Sequence, residues 1–212
     1  TQQIAAIKTS QITALSTDQI VAISTTQAAV LTSAQVSALK TAQIAALQTA
    51  DVAKLTTSAV AGMTTAQIQA LGTDQVAVLQ TNQVNALTSA QVAKLTTDQV
   101  VALSTLQAAN LGTLQAAALT TAGIAAMETA DVAKLNTAAV AALTTTQIRA
   151  LTTGDDGQVA ALTTDQVLAL KTSQVAALTT AQVAALATDD LVKLTTSQVQ
   201  ALTTTQVNAI SA

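Results

Sequence analysis

The side chains with chemical capacity are few, and they recur at fixed places. Asp155 and Asp156 stand side by side between Gly154 and Gly157, and two adjacent carboxylates on a glycine-bracketed loop are a candidate Ca²⁺ site. The ion takes about six to eight oxygen ligands, and no extended calcium motif surrounds this pair. It is therefore the one candidate metal site, and no cofactor is expected. Three further pairs place a carboxylate three residues before an ammonium: Asp51 with Lys54, Asp131 with Lys134 and Asp190 with Lys193. Ser, Thr, Glu and these groups are all that remains for catalysis, and no Ser lies in a G-x-S-x-G nucleophile turn. Because the Asp–Lys pairs recur at the same place in a repeat, they read as structural ion pairs, and the chain is expected not to be an enzyme.

What is missing supports that expectation. The 212 residues include no His, Cys, Phe, Trp, Tyr or Pro. This removes imidazole acids and bases, thiol chemistry, disulfides and the usual zinc ligands. A net charge of −3 from 8 basic and 11 acidic groups, without aromatic stacking surfaces, argues against a nucleic-acid partner. The apolar runs end after a few residues, far short of the roughly 20 that span a bilayer, so no membrane insertion is expected. The N-terminus is already a repeat and carries no signal core; both ends read as cuts through, or processed ends of, a longer array.

The elements that position these groups follow from the repeat. From Thr1 the chain runs in units of eight: nineteen octads reach Thr152, one unit of eleven spans 153–163, and six more octads end at Ser211. Position one is always Thr or Ser, position three is Gln in 20 of 26 units, position four is Val, Ile, Leu or Ala, and position seven is Leu, Ile or Met. On a strand, positions four and seven point to opposite faces, whereas on a helix residues three apart share one. The Asp–Lys spacing obeys the same rule, and abundant Ala with only six Gly also favours helix. One continuous helix fails. At about 100° per residue eight residues advance roughly 800°, so each apolar pair is rotated by about 80° from the last and no stripe survives.

The expected fold is therefore an all-α solenoid of very short helices of about six residues, one per octad, with a β-solenoid as the alternative. The chain reads as a single octapeptide-repeat array over 1–212, with a three-residue loop insertion in the unit 153–163. Thr at position one is expected to be the N-cap, and where position eight is also Thr, as in Thr96-Thr97-Asp98-Gln99, the capping-box spacing appears as well. The Gln at position three, exemplified by Gln99, Gln174 and Gln182, is a candidate for inter-coil hydrogen bonding, because an amide both donates and accepts; a solvated helix-start residue is the alternative. Gly62, Gly72, Gly112 and Gly123 are expected to relieve local crowding. Lys54, Lys94 and Lys134 recur every 40 residues, which marks either a five-octad copying unit or the geometry of a turn.

The unit T-x-Q-V-x-A-L-T, as in 172–179 and 180–187, resembles the octapeptide arrays of very large secreted or surface proteins of Gram-negative bacteria, often labelled adhesin-like. That resemblance implies an extracellular or cell-surface, non-catalytic scaffold: a stalk, spacer or filament segment that self-associates end to end or with further repeats. The stretch 95–103 also resembles the first helix of transcription-activator-like DNA-binding repeats, over that helix alone. A regularly spaced Thr surface for ice, another lattice or a glycan is the alternative function.

Overall fold

A computed structural model of the chain describes residues 2–154 and 156–210. Among them are 25 helices of four to seven residues and no strand. The chain is all-α, and the β-solenoid alternative falls away.

One conformational cycle serves every octad. Thr64 is extended at φ −71°, ψ 158°, Thr65–Ala70 is helical, and Leu71 returns to φ −63°, ψ 133°. Gly72 then stays extended at φ −69°, ψ 159° before the next helix, Thr73–Ala77. Two successive residues near the polyproline-II basin thus turn each corner. Both corner amides are in use: Leu71 N–H donates to Ile68 O at 3.2 Å and Gly72 N–H to Gln75 Oε1 at 2.8 Å. Proline at either place forfeits a donor, which accounts for a turn-rich chain without proline.

The caps fall one residue earlier than expected. Position eight, not position one, is the N-cap: Thr64 Oγ1 accepts from Gln67 N–H at 3.2 Å, and Thr96 Oγ1 from Gln99 N–H at 3.2 Å. Position one is the first helical residue, as at Thr65 and Thr97. The capping-box spacing decides this, because only an N-cap at position eight puts Gln at the third helical residue.

The chain divides into two compact units, 1–103 and 104–212, and each is coiled on the same plan. Positions four and seven fill the interior: Ile44, Ile68 and Val84 in the first unit and Ile124, Val140 and Ile148 in the second have no exposed surface. Each coil rests on the helix three octads away. Thr41–Ala46 packs against Thr65–Ala70 in the first unit, and Thr113–Ala118 against Thr137–Ala142 in the second.

The long unit keeps the core register without forming a helix. Val159 and Leu162 are buried, taking positions four and seven. Thr152 still caps, with its N–H on Gln158 Oε1 at 3.0 Å and its Oγ1 accepting from Gln158 N–H at 3.1 Å. Cap and Gln are here six residues apart rather than three, so the extra residues lie between them. Gly154, at φ 115°, occupies a region L side chains avoid. A Cβ on Gly157 meets the Thr153 carbonyl carbon at 2.6 Å.

The single glycines differ among themselves. A Cβ on Gly62 meets Ser33 Oγ at once, so crowding explains that residue. A Cβ on Gly72 or Gly112 is accommodated at ordinary contact distance, 3.8 and 3.6 Å from the nearest atom, and Gly123 is buried at position three. Crowding does not explain Gly72 or Gly112. Replacing Gly72 with Ala is expected to raise stability by about 0.4–1 kcal/mol through the unfolded chain, and Gly157→Ala to lower it. Thermal denaturation of both variants checks the pair.

Candidate functional site: the amide at position three

In Gln67 a single side-chain amide joins the backbone of its own octad to that of an earlier one. Its Oε1 accepts from the N-cap Thr64 N–H at 2.7 Å. Its Nε2 donates to Val36 O at 2.8 Å and Leu39 O at 2.6 Å, four octads earlier. Those carbonyls belong to the C-terminal end of the helix Ser33–Ala38 and its corner, where a helix leaves acceptors unfilled. The side chain is 2% exposed.

Gln99, Gln174 and Gln182 repeat the arrangement. Gln99 Nε2 donates to Ile68 O at 2.8 Å and Leu71 O at 2.7 Å. Gln174 Nε2 reaches Val140 O at 3.0 Å and Leu143 O at 2.7 Å, and Gln182 Nε2 reaches Ile148 O at 2.8 Å and Leu151 O at 2.9 Å. The two roles weighed for this residue, helix start and inter-coil bond, are therefore performed together. The partners are backbone carbonyls rather than neighbouring amides.

The intervals define the coil. Gln67 and Gln99 reach back 31 and 28 residues. Gln158 and Gln182 reach 34 and 31, and Gln198 returns to 31 and 28. The ladder thus skips the three residues inserted between Thr152 and Gln158. With helices packing three octads apart and amides reaching toward the fourth, one turn holds between three and four octads. The 40-residue recurrence of Lys54, Lys94 and Lys134 is not a turn of this coil.

Six octads lack the glutamine, and in two an amide at position eight substitutes. Gln48, just before Asp51, donates from Nε2 to Val21 O at 3.0 Å. Asn136, before Ala139, donates from Nδ2 to Leu111 O at 2.9 Å while its Oδ1 accepts from Ala139 N–H at 2.8 Å. Sequence reasoning overlooked both; the legible signal was an amide at the cap directly ahead of an octad without its Gln.

The Asp–Lys pairs are not the exposed ion pairs that their spacing implies. Asp51, Asp131 and Asp190 take the buried ladder position, with 2%, 1% and 5% exposure, while Lys54, Lys134 and Lys193 are exposed. The geometric reason is that position three faces the coil and position six its flank. Asp190 finds a donor in Thr164 Oγ1 at 2.6 Å. Asp51 Oδ2 and both carboxylate oxygens of Asp131 are buried without a hydrogen-bond partner. Burial pushes the Asp51 carboxyl above its ordinary value of 3.8. Burial, reinforced by the neighbouring Glu128 charge, raises Asp131 to about 6.

Of the calcium pair, Asp155 lies outside the described residues. Asp156 is exposed, and its main-chain carbonyl accepts from Thr129 Oγ1 at 3.0 Å. Among the described residues no three acidic side chains gather as a metal site, and no helix is long and apolar enough to cross a membrane.

A coil closed by one recurring side chain defines a helical repeat protein of solenoid type. The chain belongs to the ALTTAQ repeat family, whose model matches residues 4–41, 44–81, 77–105, 124–155, 155–188 and 183–212. Together these matches tile most of the chain. No curated protein matches the chain.

Truncating Gln99 to Ala strands the Thr96 N–H and two buried carbonyls. The expected loss is on the order of 3 kcal/mol, read by urea denaturation. Asp51→Gln is expected to gain about 1 kcal/mol by supplying the absent donor, whereas Lys54→Ala changes stability by less than about 0.5 kcal/mol.

Proposed function

We propose that this structural repeat protein is a load-bearing scaffold: an extracellular stalk, spacer or filament-forming segment of a bacterial surface protein. The observation that carries this reading is the use made of the polar side chains. In most units the amide at position three joins one coil to an earlier one, as at Gln43, Gln75, Gln147 and Gln206, and the interior is packed with aliphatic side chains. The depression beside Gly72 is an open groove that includes Gln48, Thr49, Thr73 and Asp74 rather than an enclosed pocket. Non-catalytic service is the reading this favours.

Association of the array with further repeats, or with other copies of the chain, belongs to the same proposal. The ladder is directional, with amides reaching toward earlier octads, so successive coils add in one sense. Heterologous contacts of this head-to-tail kind build an open filament where the rotation between copies does not close a ring.

A second reading rests on position one. Its Thr or Ser is not the cap, so capping no longer accounts for its invariance within the chain, and the hydroxyls of Thr41, Thr73 and Thr97 belong to exposed residues. A repeated hydroxyl-methyl surface suits ice, another lattice or a glycan.

Antibody raised against this chain is expected to label the surface or surrounding medium of the producing cells in immunogold microscopy; label confined to the cytosol contradicts the scaffold proposal. An ice-recrystallisation assay separates the second reading: no inhibition removes ice as the target.

A further inference from the structure

We propose that Asp51 and Asp131 are acid-set groups: each takes up a proton from solvent when the coil is folded, and Asp51 uses it as the hydrogen-bond donor that position three requires. The ladder shows what that position demands. Gln43 and Gln67, either side of Asp51 in the sequence, donate to carbonyls of an earlier coil at positions four and seven. The same register sets the carbonyls of Ile20 and Ile23 opposite Asp51. Gln48 Nε2, bonded to Val21 O, holds the two coils together at this step.

An ionised carboxylate has only acceptors, and a protonated one has a donor. Facing acceptors from a buried place, the charged form lacks both water and a partner, whereas the neutral acid supplies what is absent. The three orphaned oxygens, Asp51 Oδ2 and Asp131 Oδ1 and Oδ2, record that mismatch. Asp190 provides the contrast, since the Thr164 hydroxyl donates to its carboxylate and serves the ionised form.

The surrounding charges do not offset this. The helix Thr49–Val52 packs against Thr25–Ala28, which has no ionisable group, and Thr73–Ala77, whose Asp74 is exposed. Lys54 follows on the chain but makes no ion pair among the described residues. The helix Thr129–Lys134 packs against Thr105–Ala109, again without ionisable groups. Glu128 beside it adds negative charge, Asp156 lies over Thr129 through its main chain, and Lys134 forms no ion pair among the described residues. Asp51 belongs to the first compact unit and Asp131 to the second.

The sign follows from linkage. A carboxyl whose pKa is raised on folding keeps its proton while the unfolded chain loses it, so stability is greatest in acid and falls as pH rises. For Asp131 that window runs from 3.8 to about 6. The test is a ¹³C-carboxyl NMR titration of the full chain, with urea midpoints across the same range for the parent and an Asp51→Asn/Asp131→Asn variant. Both carboxyls are expected to titrate above the ordinary aspartate range, and the variant to lose the acid-side rise in midpoint that the parent shows. Carboxyls that titrate in the ordinary range, or a variant that keeps the parent's full pH dependence, overturn the proposal; the titration of the parent stands whether or not the variant folds.

Discussion

A helix of six residues is nearly all ends. It forms few internal hydrogen bonds and leaves its first amides and last carbonyls open, so a chain built of such helices stands only if something outside each one fills those groups. The glutamine at position three does this from both sides at once. Its oxygen receives the N-cap amide of its own helix, and its nitrogen feeds two carbonyls on an earlier coil, as Gln67 does for Thr64, Val36 and Leu39. Neutral, planar and bifunctional, the amide matches this demand in a way a carboxylate does not. The aliphatic positions supply the driving force for collapse, but they are non-directional; the amide sets which coil lies on which.

Several features of the sequence follow from that constraint. The corners need two extended residues with live N–H groups, which excludes proline and makes glycine unnecessary except at Gly154 and Gly157 in the long unit. An insertion is tolerated between cap and glutamine because the ladder is indifferent to what loops out between Thr152 and Gln158. Loss of the amide is tolerated when a neighbour replaces it, as Gln48 and Asn136 do. Where aspartate takes the place without a donor, the coil carries an unsatisfied buried group, a local weakness that protonation relieves.

Much of this was legible in the eight-letter pattern. The three-residue spacing of positions four and seven specified short helices with one buried face, and the rotation of about 80° per octad ruled out a single rod. The near-constant Gln marked the inter-coil residue. Other features were not legible, for reasons of geometry. Two adjacent hydroxyl positions offered themselves as cap, and only backbone conformation separates Thr96 from Thr97. The Asp51–Lys54 spacing satisfied the rule for a helical ion pair, but that rule ignores which face is buried. The number of octads per turn depends on the angle at each corner, and the 40-residue recurrence of lysines in the sequence is not a turn of the coil. That mismatch has a consequence of its own: with a turn of between three and four octads, lysines five octads apart do not stack on one another.

The central claim is that side-chain amides at position three hold successive coils together. Its most direct measurement is through-hydrogen-bond scalar coupling by NMR on ¹³C,¹⁵N-labelled protein, from Gln99 Nε2 to the carbonyl carbons of Ile68 and Leu71, together with exchange rates of the glutamine side-chain amide protons. Detectable couplings and amide protons exchanging orders of magnitude more slowly than in free glutamine are the predicted result. Absent couplings with exchange at the free rate would contradict it.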